Sequence, residues 1–326
     1  MDTYTVEMPR DLLRIGIAAL LVVVGFFVTV SVLNATLYSP SGFVRDYLDA
    51  LARHDSDGAL VLAGETAPAG RAAALLQPSA MGELSDIRFV SDTTGSEGSQ
   101  QLVFSYTAGG TRGQSTFDVK QNGALFGLFP AWRFAASPIG AIRLSVLHGE
   151  EFAANGVQLR ADSPTAEYAA FVPGAYSFDH QSEYLAADPL QVVTSEPSAT
   201  VVASLDIQPT QVFVDTVQKQ VNDYLDSQCV TQQVLLPTGC PFGAEVNDRT
   251  VSPPIWSIVT YPVVRLDPLG RVDWRVLSKD AVAHLGVKVQ SLFDGSISAL
   301  EKDVPFSLTS SVSLQSGVPA VTGGSG

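Results

Sequence analysis

The sequence predicts an α+β protein that begins with one transmembrane helix and continues as two similar α+β modules flanking a small all-β domain. Three observations support this prediction. Residues 15–33 form a 19-residue run without a charged side chain. The pattern Asp-Tyr-Leu-Asp-small occurs twice, and the segment between the copies alternates polar and apolar residues without helical periodicity.

The apolar run IGIAALLVVVGFFVTVSVL at residues 15–33 predicts a transmembrane helix. At a rise of about 1.5 Å per residue it spans about 28 Å, close to the hydrocarbon thickness of a bilayer. Arg10 and Arg14 precede the run and the next basic residue is Arg45, so the positive-inside rule favours a cytoplasmic tail at residues 1–14 and extracytoplasmic C-terminal domains. A cleaved signal peptide is the alternative, but its apolar region usually spans only about 7–15 residues. We therefore expect an uncleaved, single-pass anchor in the cell membrane.

The composition is that of a folded, acidic protein. Of 326 residues, 46% are hydrophobic and 9% aromatic, and 33 acidic against 19 basic residues give a net charge of −14. Such a surface repels nucleic acid and anionic polymers, so we expect no nucleic-acid partner. It suits a small ligand, a neutral sugar or a basic protein partner, so we expect an envelope protein or a small-molecule or cell-wall ligand, but acidity also simply favours solubility.

Cys229 and Cys240 are the only two cysteines, and their spacing in an exported region predicts a disulfide. Zinc is not expected, because neither cysteine belongs to a Cys-x-x-Cys pair and the nearest histidine is His284. The pair independently supports an extracytoplasmic location for the C-terminal domains. No metal ion or cofactor is predicted elsewhere in the chain.

The pentapeptide DYLDA at residues 46–50 recurs as DYLDS at residues 223–227, and each copy lies in an amphipathic helix pattern. A Trp-Arg pair follows downstream of each helix in a strand-like run, at Trp132 and Trp274. This shared order predicts a duplicated α+β module. The two predicted copies occupy residues 41–137 and 208–315.

Each repeated helix has an expected start. The first follows Pro40, with Ser41 as the candidate N-cap, and the second follows Pro209, with Thr210 as the candidate N-cap. The aspartates beside the two tyrosines should then lie on the polar face of each helix and point towards solvent.

Residues 138–207 predict a small acidic β domain, because alternating stretches such as 142–146 and 201–205 are separated by turns. Nine acids against Arg143 and Arg160 give this domain a net charge of −7. The last segment, SGVPAVTGGSG at residues 316–326, is expected to be a flexible tail.

Several stretches together resemble known extracytoplasmic domains. FVRDYLDALARHDSDGAL and FPAWRF in the first module, and QVFVDTVQKQVNDYLDSQC, LPTGCPFG and VDWRV in the second, resemble NTF2-like (cystatin-related) modules of Gram-positive membrane proteins. In these folds a helix packs into a curved antiparallel sheet. PGAYSFDHQSEYLAA resembles small PEGA-like β domains, and the whole layout is loosely similar to TcaA-type envelope proteins. The resemblance implies an envelope-associated binding, scaffolding or regulatory role and transfers no functional residues.

If these modules enclose NTF2-like cavities, four aromatic residues are candidates for lining them, although buried aromatic residues more often pack cores. They are Tyr47, Trp132, Tyr224 and Trp274.

Catalytic motifs are missing from the sequence. It contains no G-x-S-x-G, no P-loop and no dinucleotide fingerprint. His54-Asp55-Ser56-Asp57 is interpreted as a solvated helix end, His148-Gly149-Glu150-Glu151 as a polar turn, and His180 and His284 have no local partners. We therefore expect a non-enzymatic protein. The alternative is an envelope enzyme that uses a buried Asp or His in an NTF2-like cavity as general base.

Overall fold

The computed structural model describes residues 10–95, 98–315 and 317–325, so most of the expected cytoplasmic tail lies outside it. The apolar run forms one long helix, α1, at Arg10–Ala35. Within its segment Arg14–Ala35, the most apolar stretch of 18 residues has a mean hydropathy of 2.7, and none of these 18 residues is buried within the protein. The predicted N-terminal apolar helix is therefore confirmed, and its length and exposure are consistent with a membrane anchor.

The N-terminal unit, residues 40–134, packs two helices against one antiparallel sheet whose strands follow chain order. Its helices are α2 (Pro40–Ala52) and α3 (Ser56–Ala63), followed by 3₁₀ turns at Gly70–Leu76 and Pro78–Ala80. Its strands are β1 (Leu84–Thr94), β2 (Gln100–Ala108), β3 (Thr111–Leu125) and β4 (Phe129–Phe134).

The start of α2 differs from the prediction by two residues. Ser39, not Ser41, is the N-cap, and its Oγ accepts a hydrogen bond from the Gly42 N–H at 3.0 Å. Pro40 occupies the first helical position, which its fixed φ and missing N–H favour, and the cap therefore falls on the residue before it.

The middle unit, residues 139–209, is built from two β-sheets, and its described residues include no helix. Its strands are β5 (Ile139–Leu147), β6 (Glu151–Ala154), β7 (Val157–Arg160), β8 (Thr165–Phe171), β9 (Gly174–Gln181), β10 (Leu185–Thr194), β11 (Thr200–Asp206) and β12 (Gln208–Pro209). One sheet has the order β11-β5-β8, with β11 and β5 parallel, and the other has the order β12-β10-β9-β6-β7.

The C-terminal unit, residues 210–325, combines one helix with two further sheets. Helix α4 (Gln211–Tyr224) continues into a π-helical turn at Leu225–Cys229. The strands are β13 (Arg249–Thr250), β14 (Ile255–Thr260), β15 (Val263–Pro268), β16 (Asp273–Lys279), β17 (Ala281–Gln290), β18 (Ile297–Phe306), β19 (Thr309–Gln315) and β20 (Val318–Ser325). In one sheet β17 pairs with β13, β14 and β18, and the other has the order β15-β16-β19-β20. Thr210 caps α4 as predicted, its Oγ1 accepting from the Phe213 N–H at 3.3 Å.

The expectation of a flexible tail at residues 316–326 is wrong for most of that segment. Residues 318–325 form β20, which pairs antiparallel with β19 and places Val321 opposite Val312. Glycine and serine lower the intrinsic preference for a strand. However, the backbone N–H and C=O groups on the free edge of β19 form hydrogen bonds with residues 318–325, which makes this segment the edge strand of the sheet.

Three hydrophobic clusters fill the interior, and residues from neighbouring units join them. Phe171 of the middle unit packs into the N-terminal cluster, while Leu75 of the N-terminal unit packs into the middle one. Leu185 packs against both the middle and the C-terminal clusters. The mixed α+β class is therefore confirmed, with mostly β structure, and the units share packed interiors that hold them together.

Candidate functional site

A groove of about 560 Å³ lies between the middle and C-terminal units, within the size range of ligand-binding clefts. The middle unit supplies the turn before β6, the end of β7 and the connection from β9 to β10, while the C-terminal unit supplies the turn before β16 and the end of β19. The lining residues are Gly149, Glu150, Glu151, Arg160, His180, Ser182, Glu183, Tyr184, Leu185, Val272, Ser313, Leu314 and Gly317.

The turn before β6 is held in place from the middle unit and the C-terminal core. His148 has a positive φ of 58°, and its Nδ1 lies 2.7 Å from Asp206 Oδ1. The His148 ring centroid lies 5.7 Å from that of the buried Trp274. At Gly149 a Cβ atom would meet the end of the buried Ile207 side chain at 2.4 Å, so a larger residue here would force that side chain to shift. The turn thereby presents Glu150 to the groove in a fixed position.

Arg271 clamps the two units together beside the groove. It lies in the turn between β15 and β16, and its Nη1 is 3.4 Å from Glu150 Oε1 and donates to the Asp162 carbonyl at 3.3 Å. Its Nη2 donates to the Ala161 carbonyl. Arg160 Nη2 lies 2.5 Å from the other oxygen of Glu150. Glu150 is thus shared by two guanidinium groups, one from each unit, which neutralises its charge and fixes the width of the groove.

The groove combines an apolar floor with acidic groups at its rim. Leu185 and Leu314 are partly buried against the C-terminal core, and the Tyr184 ring packs edge-on against Phe213, with ring centroids 5.7 Å apart. Desolvation and the neighbouring Glu183 carboxylate raise the pKa of Tyr184, so this side chain stays neutral at physiological pH. Glu151 and Glu183 are exposed and leave a negative rim over an apolar surface.

A second hollow, of about 450 Å³, lies on the N-terminal unit. It is lined by Asp86, Arg88, Arg112 and polar residues from β1–β3. A single sheet forms it and few apolar groups line it, so it lacks the desolvated surface that usually supplies binding energy.

The four aromatic cavity candidates do not come together, and none lines the groove. Tyr47 is fully buried, with its hydroxyl 3.0 Å from both the Pro138 and Val172 carbonyl oxygens. Trp132 is half-buried at the edge of the same cluster and donates its indole N–H to the Tyr38 carbonyl. Trp274 is fully buried in the C-terminal core, whereas Tyr224 is exposed.

The predicted disulfide between Cys229 and Cys240 is confirmed, with a Cα–Cα distance of 5.6 Å. It closes the loop that follows α4, and the Trp256 indole N–H donates to the Val234 carbonyl inside that loop at 2.9 Å. Tyr224 covers the same loop and donates its hydroxyl proton to the Gly239 carbonyl at 2.8 Å. A disulfide suggests an oxidising, extracytoplasmic compartment.

Two histidine segments differ in detail from the sequence interpretation. The segment beginning at His54 ends α2, but it also starts α3, because Asp55 Oδ1 accepts a hydrogen bond from the Gly58 N–H at 2.9 Å. His284 does have partners. Its Nδ1 lies 2.6 Å from Asp303 and its Nε2 lies 2.9 Å from Glu301.

The two carboxylates raise the pKa of His284 by hydrogen bonding to its protonated form. They lie on opposite nitrogens of the ring, so they cannot converge on one metal ion together with it. Across the residues described above, no three His, Cys, Asp or Glu side chains form a metal-binding group.

Comparisons with protein-family models, with curated proteins and with solved structures found no match to this chain. The functional interpretation therefore depends on the groove, the apolar helix α1 and the disulfide.

Proposed function

We propose that this protein is a membrane-tethered, extracytoplasmic envelope protein with a non-enzymatic binding, scaffolding or regulatory role. In this proposal it binds its partner in the groove between the middle and C-terminal units. The groove is the observation that carries the proposal, because it joins an apolar floor to fixed polar groups at a junction between units.

Two features support the tether and its location. The exposed apolar α1 has the length of a membrane span. Asn34 Nδ2, at the end of that helix, donates to the Leu128 carbonyl at 3.0 Å, and this contact between the helix end and the N-terminal unit supports an uncleaved anchor. The disulfide supports an oxidising compartment for the C-terminal unit, and the flanking arginines favour a cytoplasmic N-terminus.

The proposed fold assignment follows the resemblance noted in the sequence. In the N-terminal unit, α2 buries Val44, Tyr47 and Leu48 against an antiparallel sheet, which fits an NTF2-like helix-on-sheet module. The two-sheet middle unit fits a PEGA-like β domain. The C-terminal unit also begins with a helix, but it has eight strands in two sheets, so as an NTF2-like module it would be an expanded version.

The chemistry of the groove favours a partner that presents an apolar group next to a positive charge. Tyr184, Leu185 and Leu314 offer apolar contact area, while Glu151 and Glu183 add negative charge at the rim. A lysine or arginine beside a hydrophobic side chain, presented by an envelope protein or a small molecule, would satisfy both parts.

A peptide titration tests this function directly. We expect a labelled peptide of alternating lysine and leucine to bind the full chain in detergent micelles, as measured by fluorescence anisotropy. Replacing both Glu151 and Glu183 with lysine should weaken binding by about tenfold or more, since two attractive charges become repulsive. The matched control replaces Glu65 and Asp92, two exposed acids outside the groove, with lysine. Equal weakening by both double variants, or no binding to the wild-type chain, would count against the groove as the binding site.

A further inference from the structure

The hairpin tip between β3 and β4, Leu125–Leu128, exposes a cluster of large apolar side chains. Phe126 is 94% exposed, Leu125 is 49% exposed and Leu128 is 42% exposed. The Leu128 N–H donates to the Leu125 carbonyl at 3.1 Å and closes the turn. Phe126 has a φ of 52°, a left-handed conformation that is unfavourable for a bulky residue. An exposed phenylalanine in such a conformation adds little to folding in water, so its role must depend on its surroundings.

The contacts of β4 show which way this tip points. The Trp132 indole N–H donates to the Tyr38 carbonyl at 2.8 Å, and the Phe129 ring stacks on the Tyr38 ring with centroids 4.4 Å apart. Further towards the tip, the Leu128 carbonyl accepts a hydrogen bond from Asn34 at 3.0 Å. Trp132 and Phe129 thus contact Tyr38, whereas Leu128, nearer the tip, contacts Asn34 in α1. The hairpin therefore runs towards α1 as it approaches its tip.

Asn34 is the first residue after the uncharged apolar run of α1. Because the Leu128 carbonyl accepts a hydrogen bond from Asn34 at 3.0 Å, the hairpin tip lies next to the end of the apolar run. A strand advances about 3.3 Å per residue and an interfacial segment buries its apolar face about 5–10 Å deep, so the tip has the reach to enter the interfacial region of a bilayer.

We propose that the tip Leu125–Leu128 inserts into the membrane interface beside α1 and forms a second contact of the protein with lipid. This inference rests on the membrane anchorage proposed above. Tyr38, Phe129 and Trp132 then lie at the level of the head groups, where tyrosine and tryptophan are favoured. Lipid is the expected occupant because the Asn34–Leu128 hydrogen bond holds the apolar tip next to the end of α1, whose own apolar side chains are exposed.

Lipid contact at the tip also gives the N-terminal unit an orientation. One helix alone leaves the domain free to rotate about the helix axis and to tilt on its connection. A second insertion point beside the helix removes much of that freedom and turns one side of the unit towards the membrane.

Nitroxide quenching in vesicles tests the insertion. The full chain carries a single new cysteine, since both native cysteines are disulfide-bonded, and it is labelled with an environment-sensitive fluorophore in phosphatidylcholine vesicles. The test variant is Phe126→Cys. The matched control is Phe293→Cys, which is 99% exposed on the hairpin between β17 and β18. Val28→Cys, within α1, reports on the anchor.

We expect the label at position 126 to be quenched by lipid with a nitroxide near the head group at least about threefold more than the label at position 293. The label at position 28 should be quenched by a nitroxide deeper in the acyl chain. Because the Phe126 side chain is exposed, its replacement removes no core contact, and near-ultraviolet circular dichroism verifies the fold of each variant.

The outcomes separate this inference from the anchor. Quenching at position 28 with equal quenching at positions 126 and 293 would overturn the hairpin insertion and leave the anchor intact. A blue-shifted but unquenched label at position 126 would also overturn it, since a protein partner or a second copy would then cover the tip. A lack of quenching at position 28 would overturn the anchor and, with it, the insertion.

Discussion

Replacing Tyr47 with phenylalanine tests whether the two repeated helices use their tyrosines in the same way. Tyr47 is 0% exposed, and its hydroxyl lies 3.0 Å from both the Pro138 and the Val172 carbonyl oxygens. Burial raises the pKa of Tyr47 well above its usual value, so the hydroxyl remains a hydrogen-bond donor throughout the physiological range. Tyr224 occupies the matching position of the second copy, but it is 39% exposed.

The expected loss of stability follows from the hydrogen bonds that remain. A hydroxyl donates one hydrogen bond at a time, and the Pro138 carbonyl also accepts the Val172 N–H at 3.0 Å. The loss therefore falls on the Val172 carbonyl, whose residue is 0% exposed. A lost buried hydrogen bond costs about 1 kcal/mol, and an unsatisfied partner raises the cost to about 1–3 kcal/mol. We expect about 2 kcal/mol for Tyr47→Phe and less than about 0.5 kcal/mol for Tyr224→Phe, since water replaces the lost contact at an exposed site.

Thermal unfolding of the full chain in detergent micelles measures the difference. A loss of about 2 kcal/mol should lower the Tm by about 4–8 °C in a chain of this size class, and the control should lower it by no more than about 2 °C. Tryptophan fluorescence reports both units, since Trp132 lies in the N-terminal cluster and Trp274 in the C-terminal one. Equal shifts for the two variants, or no shift for Tyr47→Phe, would refute the assigned role of the Tyr47 hydroxyl.

Two further predictions concern the C-terminal unit. Reducing the disulfide should lower the stability of this unit by about 3 kcal/mol on the chain-entropy model, and a Cys229→Ala/Cys240→Ala variant should match the reduced protein in its Tm; an unchanged Tm would contradict it. His284 should titrate above its ordinary value of 6.5, because Asp303 and Glu301 stabilise its protonated form. Its stabilising contribution is therefore complete below about pH 6.5 and is lost as pH rises through the raised pKa. Imidazole NMR resonances should follow this titration, and Glu301→Gln/Asp303→Asn should move it downwards; an identical titration in that variant would argue against the ion pairs.

Local patterns in the sequence were sufficient to predict the longer helices. The apolar run of α1 and the stripe that buries Phe213, Val217 and Val221 on α4 both repeat over several turns, and the Thr210 cap adjoins the second pattern. Helix α3 was missed because its eight residues, SDGALVLA, are too short and too uniformly apolar to show a helical period. Its only sequence signal is the N-cap Asp55, and an aspartate directly after a helical pattern is equally typical of a solvated helix end.

Whether a contact could be predicted from the sequence depends on how far apart its residues lie along the chain. The disulfide was predictable because its cysteines are only 11 positions apart. The partners of His284 are 17 and 19 positions away and become neighbours only through the register of β17 and β18, which pairs His284 with Asp303. One-residue shifts in that register would turn the acidic side chains to the other face. The sequence contains the alternation of Glu301 and Asp303, but it does not specify the strand opposite them.

The groove depends on contacts between residues that are still further apart in the sequence. Similar contacts link the unit that bears the groove, through the N-terminal unit, to the end of α1. Arg271 reaches Ala161, a residue 110 positions earlier, and Tyr47 reaches Val172, 125 positions later. Asn34 reaches Leu128 across 94 positions. Each contact joins consecutive parts of one path: the anchor end to the N-terminal unit, that unit to the middle unit, and the middle unit to the C-terminal unit. The contacts of Tyr47 and Arg271 are reinforced by apolar packing shared between the units, whereas the Asn34–Leu128 hydrogen bond is exposed. The groove is therefore held at a fixed position relative to the N-terminal unit. With the membrane anchorage and the binding role proposed above, this rigid connection between the units would limit the range of distances between the groove and the membrane, which suits recognition of a partner that is also fixed in the envelope.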